Sequence, residues 1–109
     1  MPEVVISTDA CVTGGAAYYN TDWVYVNWMI DFPSVSDMHI NLKELFTVLL
    51  ALRRWGHQWK NTYLHVYTDN MATKYVLNKG SMRNDIGMDF LREIYCILAM
   101  NNINIVAKY

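Results

Sequence analysis

Cysteine is scarce: Cys11 and Cys96 are the only two, far apart and without Cys-x-x-Cys spacing. That excludes a disulfide framework and supplies no zinc-ligand pattern, so two ordinary buried thiols are expected. Long apolar runs are missing as well. No stretch approaches the ~18 residues that cross a bilayer, so no membrane association is expected. The start, Met1-Pro2-Glu3, has neither the basic nor the apolar region of a signal peptide, which predicts an intracellular protein, cytoplasmic or nuclear, and not a secreted one. Positive charge is not in excess either: 9 Lys and Arg stand against 10 Asp and Glu, a net charge of -1. Binding nucleic acid by electrostatics alone asks for a basic domain. Any such role here must therefore rest on a local patch and on bound metal ions. Repeats, linkers and low-complexity tracts are absent. What is present is a 109-residue chain, 53% apolar and 17% charged, the composition and size of one globular domain with its own core.

Hydrophobic patterning predicts the elements. Val4-Val5-Ile6, running to Asp9, is a β-branched stretch that reads as a strand buried on both faces. Gly14-Gly15 marks a turn or bulge. Ala16 to Asn20 and Trp23 to Ile30 are aromatic and Val-rich around the turn signal Asn20-Thr21-Asp22, a hairpin. Phe32 to Met38, with Pro33, reads as a loop. Leu42, Leu45, Leu49 and Leu52 form a helical stripe that Phe46, Val48 and Trp55 widen, and Gly56 is its stop. Asn41 is placed to cap that helix, with Glu44 at the third position of a capping box. Tyr63 to Thr68 alternates as a strand. Asn70 to Leu77 is a short helix ended by Lys79-Gly80-Ser81. Met88, Leu91, Ile94, Tyr95 and Leu98 set a further helix, broken by Asn101-Asn102, and Ile103 to Ala107 is a final strand. The order βββαβααβ predicts an α/β fold: a mixed five-stranded sheet, three antiparallel strands then parallel ones, with helices. A right-handed crossover through the first long helix places the fourth strand parallel to the first.

Three acids stand out in that scheme. Asp9 and Asp69 each follow a strand, and parallel neighbours bring them to one sheet edge. Glu44 sits near a helix start, at the border of the apolar stripe, where a half-buried carboxylate wants a partner. Singly, each has a bland reading: a turn aspartate, or a capping glutamate. Together they would repel unless divalent cations lay among them. Magnesium suits oxygen ligands of this kind, and two such ions about 4 Å apart serve phosphodiester hydrolysis.

The fragments Ser7-Thr8-Asp9-Ala10, His39-Ile40-Asn41-Leu42-Lys43-Glu44-Leu45 and Tyr67-Thr68-Asp69-Asn70, followed by Val76-Leu77-Asn78-Lys79-Gly80, resemble the ribonuclease H domains of retroelement reverse transcriptases, most of all the DIRS-like group. The resemblance covers essentially the whole chain and implies the RNase H-like fold. It implies hydrolysis of the RNA strand of RNA/DNA hybrids with two Mg2+ ions, for which Mn2+ can substitute. Asp9, Glu44 and Asp69 match three of the family's metal-binding, catalytic carboxylates. Asn41 matches an amide that contacts the hybrid's minor groove, and Asn70, Lys74 and Lys79 are further substrate-contact candidates. The implied partners are the hybrid and the polymerase part of the same polyprotein. There are two departures from the family. Its fourth acid and a mobile histidine, on and near a helix after the last strand, have no counterpart in residues 1–109, since Asp85, Asp89 and Glu93 fall elsewhere. The expectation is a domain cut before that helix. Cys11 stands where serine is usual.

Competing readings follow. A catalytically inactive RNase H-like tether or nucleic-acid-binding module of a larger polymerase fits the missing acid and the near-neutral charge. A Holliday-junction nuclease or an exonuclease of the same fold fits the Asp-Glu-Asp order. Lys74, Lys79 and Arg83 are the only basic cluster, either a solvated face or phosphate contacts. Tyr18, Tyr19, Trp23, Tyr25 and Trp28 are packing residues or stacking surfaces. His39, His57 and His65 share no metal-ligand spacing.

Overall fold

A computed structural model describes all residues, Met1 to Tyr109. Strands β1 (Glu3–Ala10), β2 (Gly14–Tyr19) and β3 (Asp22–Asn27) form an antiparallel meander. Two short helical turns, α1 (Trp28–Asp31) and α2 (Pro33–Ser36), lead into the long helix α3 (Ile40–Trp55). A 3-10 turn (Gly56–Gln58) then precedes β4 (Thr62–Tyr67), α4 (Met71–Lys79), α5 (Asp85–Met100) and β5 (Ile103–Lys108). The sheet order is β3-β2-β1-β4-β5, with β1, β4 and β5 mutually parallel. This is the mixed five-stranded α/β arrangement that the βββαβααβ pattern predicts, with α1 and α2 added.

Alternation along the strands decides which face is covered. Val4, Ile6 and Thr8 of β1 and Thr62, Leu64 and Val66 of β4 turn towards the helices and are buried or half-buried, whereas Val5, Tyr63 and Tyr67 turn away and are exposed. The expectation that β1 is buried on both faces is therefore corrected. A run of β-branched residues looks the same whether one side or two is covered.

Helix α3 lies between the sheet and α5. That explains why its burial runs well beyond the leucine stripe: Val48, Leu49 and Ala51 are fully enclosed, as are Trp55 and Leu52 to within 1%. Leu91, Ile94 and Leu98 of α5 close the other side of this core. Each fully buried large apolar side chain stabilises the fold by about 1.5–3 kcal/mol. Phe46 meets Trp28, Phe32 and Phe90 in tilted or edge-on aromatic pairs.

Several local expectations change. Gly14 and Gly15 open β2 and are not a turn; the turn is at residues 11–13. A Cβ on Gly15 would lie 2.6 Å from Thr47 Oγ1 and 2.7 Å from the Trp28 ring, so the glycine is there for close approach to α3. The third strand stops at Asn27, whose side chain accepts from Ile30 N–H and starts α1. The segment after it is not a plain loop, since Pro33 opens α2. Both cysteines are exposed and free, not buried.

Asparagine organises the connections. Asn70 and Asn84 cap α4 and α5 by accepting from Thr73 and Gly87 amides. Asn20, Asn61 and Asn102 hold left-handed backbone at three turns. The sheet edges are blunted in kind. Asp22 and Asp31 accept the Trp23 and Asn27 amides of β3, and the Asn78 carboxamide pairs with both N–H and C=O of Ala107 in β5.

Candidate metal centre

The parallel register puts Ser7 beside Tyr67. Asp9 and Asp69 each lie two positions further on, so both reach the same C-terminal edge of the sheet. Both are exposed. Glu44 arrives from α3 and is 3% exposed. Ligand oxygens of the three lie within 4.8 Å of one another, and no other Asp, Glu, His or Cys joins them. An open cavity of about 420 Å3, lined by Ser7, Thr8, Asp9, Tyr67, Thr68, Asp69 and Tyr109, leads to this edge.

The capping arrangement predicted around Asn41 is not what places Glu44. The cap is His39, whose Nδ1 accepts the Asn41 amide at 3.0 Å, and the helix begins at Ile40. Glu44 is then the fifth helical residue, beyond reach of a capping box. It follows Lys43 and precedes Leu45 on the covered side of the helix, and every residue from Leu42 to Leu49 is buried. One carboxylate oxygen accepts the Ala10 amide at 3.2 Å; the other, Oε2, is buried without a partner. Burial drives the Glu44 carboxyl up to about 7, the Ala10 N–H opposes this, and the charges of Asp69 and then Asp9 add to the rise.

The donor set is all oxygen, compact, and has one buried oxygen unspent. A hard divalent cation fits it: a charge of +2 would satisfy Oε2 and cancel the mutual repulsion. The residues that would hold it are Asp9, Glu44 and Asp69.

Asn41 and Asn70 lie beside the acids and are joined to each other. Asn70 Nδ2 donates to Asn41 Oδ1 at 2.9 Å, while Asn70 Oδ1 caps α4. Lys74 and Lys79 do not join the acidic group. They line a separate groove of about 380 Å3 on α4 with Met71, Tyr75 and Asn78, and Lys79 Nζ sits 5.4 Å from the centre of the Tyr75 ring. Neither lysine, nor Arg83, is in an ion pair. The aromatic residues divide: Tyr18, Trp23 and Tyr25 are exposed, whereas Trp28 is fully buried and Tyr19 packs edge-on against Trp55 and Trp59. His65 meets Glu3 across the open sheet face, far along the chain, and takes no part in the centre. Sequence reasoning missed Lys43, which is 4% exposed and donates to Val12 O at 2.8 Å. Its place on the apolar side of the helix, next to Glu44, was the available signal.

Comparison with known proteins then bears on this geometry. No protein-family model matches the chain, and no curated protein sequence matches it. Among solved structures, the crystal structure of RNase H1 from the halophilic archaeon Halobacterium salinarum NRC-1 superposes with a TM-score of 0.61, covering 97% of this chain and 85% of that one at 11% identity. The fold is RNase H-like.

The raised Glu44 carboxyl fixes a pH dependence. In the unfolded chain it ionises near 4.5, in the folded one near 7. The Glu44 contribution to the stability of the metal-free protein is therefore greatest below 4.5 and declines as pH rises from there to about 7, by about 3 kcal/mol at most. Glu44→Gln in EDTA is expected to raise the unfolding free energy by up to that amount at pH 8 and by nothing at pH 4. Equal gains at both pH values would contradict the desolvated carboxylate.

Proposed function

We propose that the chain is the ribonuclease H domain of a retroelement reverse transcriptase, of the DIRS-like group, hydrolysing the RNA strand of RNA/DNA hybrids. The observation that carries this reading is the convergence of Asp9, Glu44 and Asp69 within 4.8 Å at one edge of an RNase H-like sheet. The ordered motifs around those acids support the retroelement setting, with the polymerase part of the same polyprotein as partner. The similar solved structure is named an RNase H1, which supports the hybrid as substrate. No helix is long and apolar enough to cross a membrane.

Magnesium is the cation we assign, with manganese as substitute. When bound it supplies charge neutralisation at the phosphodiester and a water acidic enough to attack near neutral pH. The chain's own residues divide the remaining work. Asp9 and Asp69, exposed at the strand ends, face the open cavity that receives the scissile phosphate. Together with Glu44 they would hold the cation. Glu44, fixed by Ala10 N–H, presents its second oxygen from below. Asn41, whose Oδ1 accepts from Asn70, offers its side-chain N–H groups to the minor groove of the hybrid. Lys74 and Lys79 lie along α4 to meet phosphates, which positions the duplex without reading sequence. Residues 1–109 supply three carboxylates where the family uses four, so we assign them one tightly held ion.

A second reading draws on that same count: an inactive RNase H-like module that binds the hybrid and tethers it. Cleavage of a labelled RNA/DNA hybrid in Mg2+ and in Mn2+, with Asp69→Asn alongside, separates the two. The nuclease reading expects cleavage by the parent and a loss of more than about 100-fold in the variant, beyond the 10–100-fold typical of groups behind the metal ligands. Unchanged cleavage by the variant would remove the proposal, and binding of the hybrid with cleavage by neither protein would favour the tether. A branched-DNA substrate in the same assay tests the junction-nuclease alternative.

The α4 groove makes its own prediction. Lys74→Ala and Lys79→Ala are each expected to weaken hybrid binding similarly for all sequences and to lower the salt slope of log K by about 1. An unchanged slope in both variants would mean that α4 is only a solvated face.

A further inference from the structure

The turn that follows Asp9 has its carbonyls pulled inward one after another. Cys11 O accepts from Trp28 Nε1 at 3.1 Å, Val12 O from Lys43 Nζ at 2.8 Å, Thr13 O from Trp28 N at 3.0 Å, and Gly14 O from Cys11 N at 2.8 Å. The side chains that reach in from outside the turn, Trp28 and Lys43, are 0% and 4% exposed. Meanwhile Val12 itself is 75% exposed. A surface turn is thus held from beneath by buried donors.

Lys43 is the costly member of this arrangement. The ion pairs of the chain are Arg53–Glu93, Arg54–Asp22, His65–Glu3 and Arg92–Asp89, so Lys43 has no carboxylate partner. A lysine buried against one neutral carbonyl stabilises less than an apolar side chain of its length would. Stability alone gives no reason for it. Position does. Lys43 and Glu44 are consecutive, and they hold the same stretch at two points: Glu44 takes the Ala10 amide at 3.2 Å and Lys43 takes the Val12 carbonyl. Asp9 is the residue immediately before that stretch. Thr47, one helical turn on, donates to Lys43 O and is the atom that crowds Gly15 at the far side of the turn.

We propose that Lys43 is a positioning residue that pins the turn at residues 11–13 to α3 and so holds the Asp9 carboxylate within reach of Glu44 and Asp69. Its consequence for cation binding rests on the metal-centre reading; the pinning of the turn does not. Without Lys43 the turn keeps its Trp28 bonds at Cys11 O and Thr13 O but is tied to α3 only at Ala10, which would let the exposed Asp9 shift relative to Glu44 on that helix. The separation of the acids would then no longer be set.

The test is Lys43→Met in the full chain, read three ways: thermal unfolding, amide hydrogen exchange, and Mn2+ titration followed by the metal's own magnetic resonance signal. The expected result is an unfolding temperature equal to or above the parent's, faster exchange confined to residues 10–14, and Mn2+ affinity lowered 10–100-fold. Faster exchange with unchanged Mn2+ affinity would overturn the positioning role. Faster exchange spread equally over β4 and β5 would overturn it too, since that is general destabilisation. If the parent itself binds no Mn2+, the metal reading fails, while local exchange still decides whether the pin exists. Should Lys43→Met not fold, Trp28→Phe removes the Nε1–H donated to Cys11 O together with part of the buried ring and is expected to loosen the same residues; unaltered exchange there would count against the pinned turn.

Discussion

Three carboxylates held within 4.8 Å, one of them sealed from water, are a standing electrostatic cost. Desolvation, and after it repulsion from Asp69 and Asp9, keeps the proton on Glu44, whose carboxyl is pushed up to about 7. The rest of the structure has to impose that placement. The parallel pairing of β1 with β4 sets Asp9 level with Asp69. Helix α3 cannot withdraw Glu44, because the residues on both sides of it are locked between the sheet and α5.

The burial that offsets the cost lies in the core. Trp28, Trp55, Trp59, Leu49, Leu64, Leu77 and Ile94 are almost wholly enclosed, each contributing about 1.5–3 kcal/mol, the same order as the roughly 3 kcal/mol set by one desolvated carboxyl. A cation would reverse the sign of that local contribution, since a ligand that binds only the folded state adds to its stability. Around this point the two flanks differ. On one side lie the joined amides of Asn41 and Asn70 and the unpaired lysines of α4; on the other, the turn after Asp9 carried by Trp28 and Lys43.

Much of this was legible before any coordinates. The leucine stripe of α3, the alternation of β4 and the Asn–Thr–Asp hairpin are short-range patterns, and short-range patterns survive in sequence. The convergence of Asp9, Glu44 and Asp69 was legible too, because topology rules leave few ways to arrange strand, helix and strand. What escaped depends on the third dimension. Whether Val5 faces water or a helix is not written in β-branching. Gly14 and Gly15 look like a turn until the Trp28 ring and Thr47 are seen against them. Asn41 is a good cap residue, yet His39 caps, and Asn41 is spent on Asn70 instead. Lys43 lies on the apolar side of its helix, which signals burial, but its partner Val12 O is thirty-one positions back and no local pattern names it.

The most direct measurement is calorimetric titration of Mg2+ into the purified chain at pH 7 in two buffers of different ionisation enthalpy. If Glu44 ionises near 7 and becomes a ligand, binding releases about half a proton per ion, and the apparent enthalpies in the two buffers differ accordingly. Binding without proton release, or no binding at millimolar Mg2+, would contradict the account of a desolvated carboxylate completed by a cation.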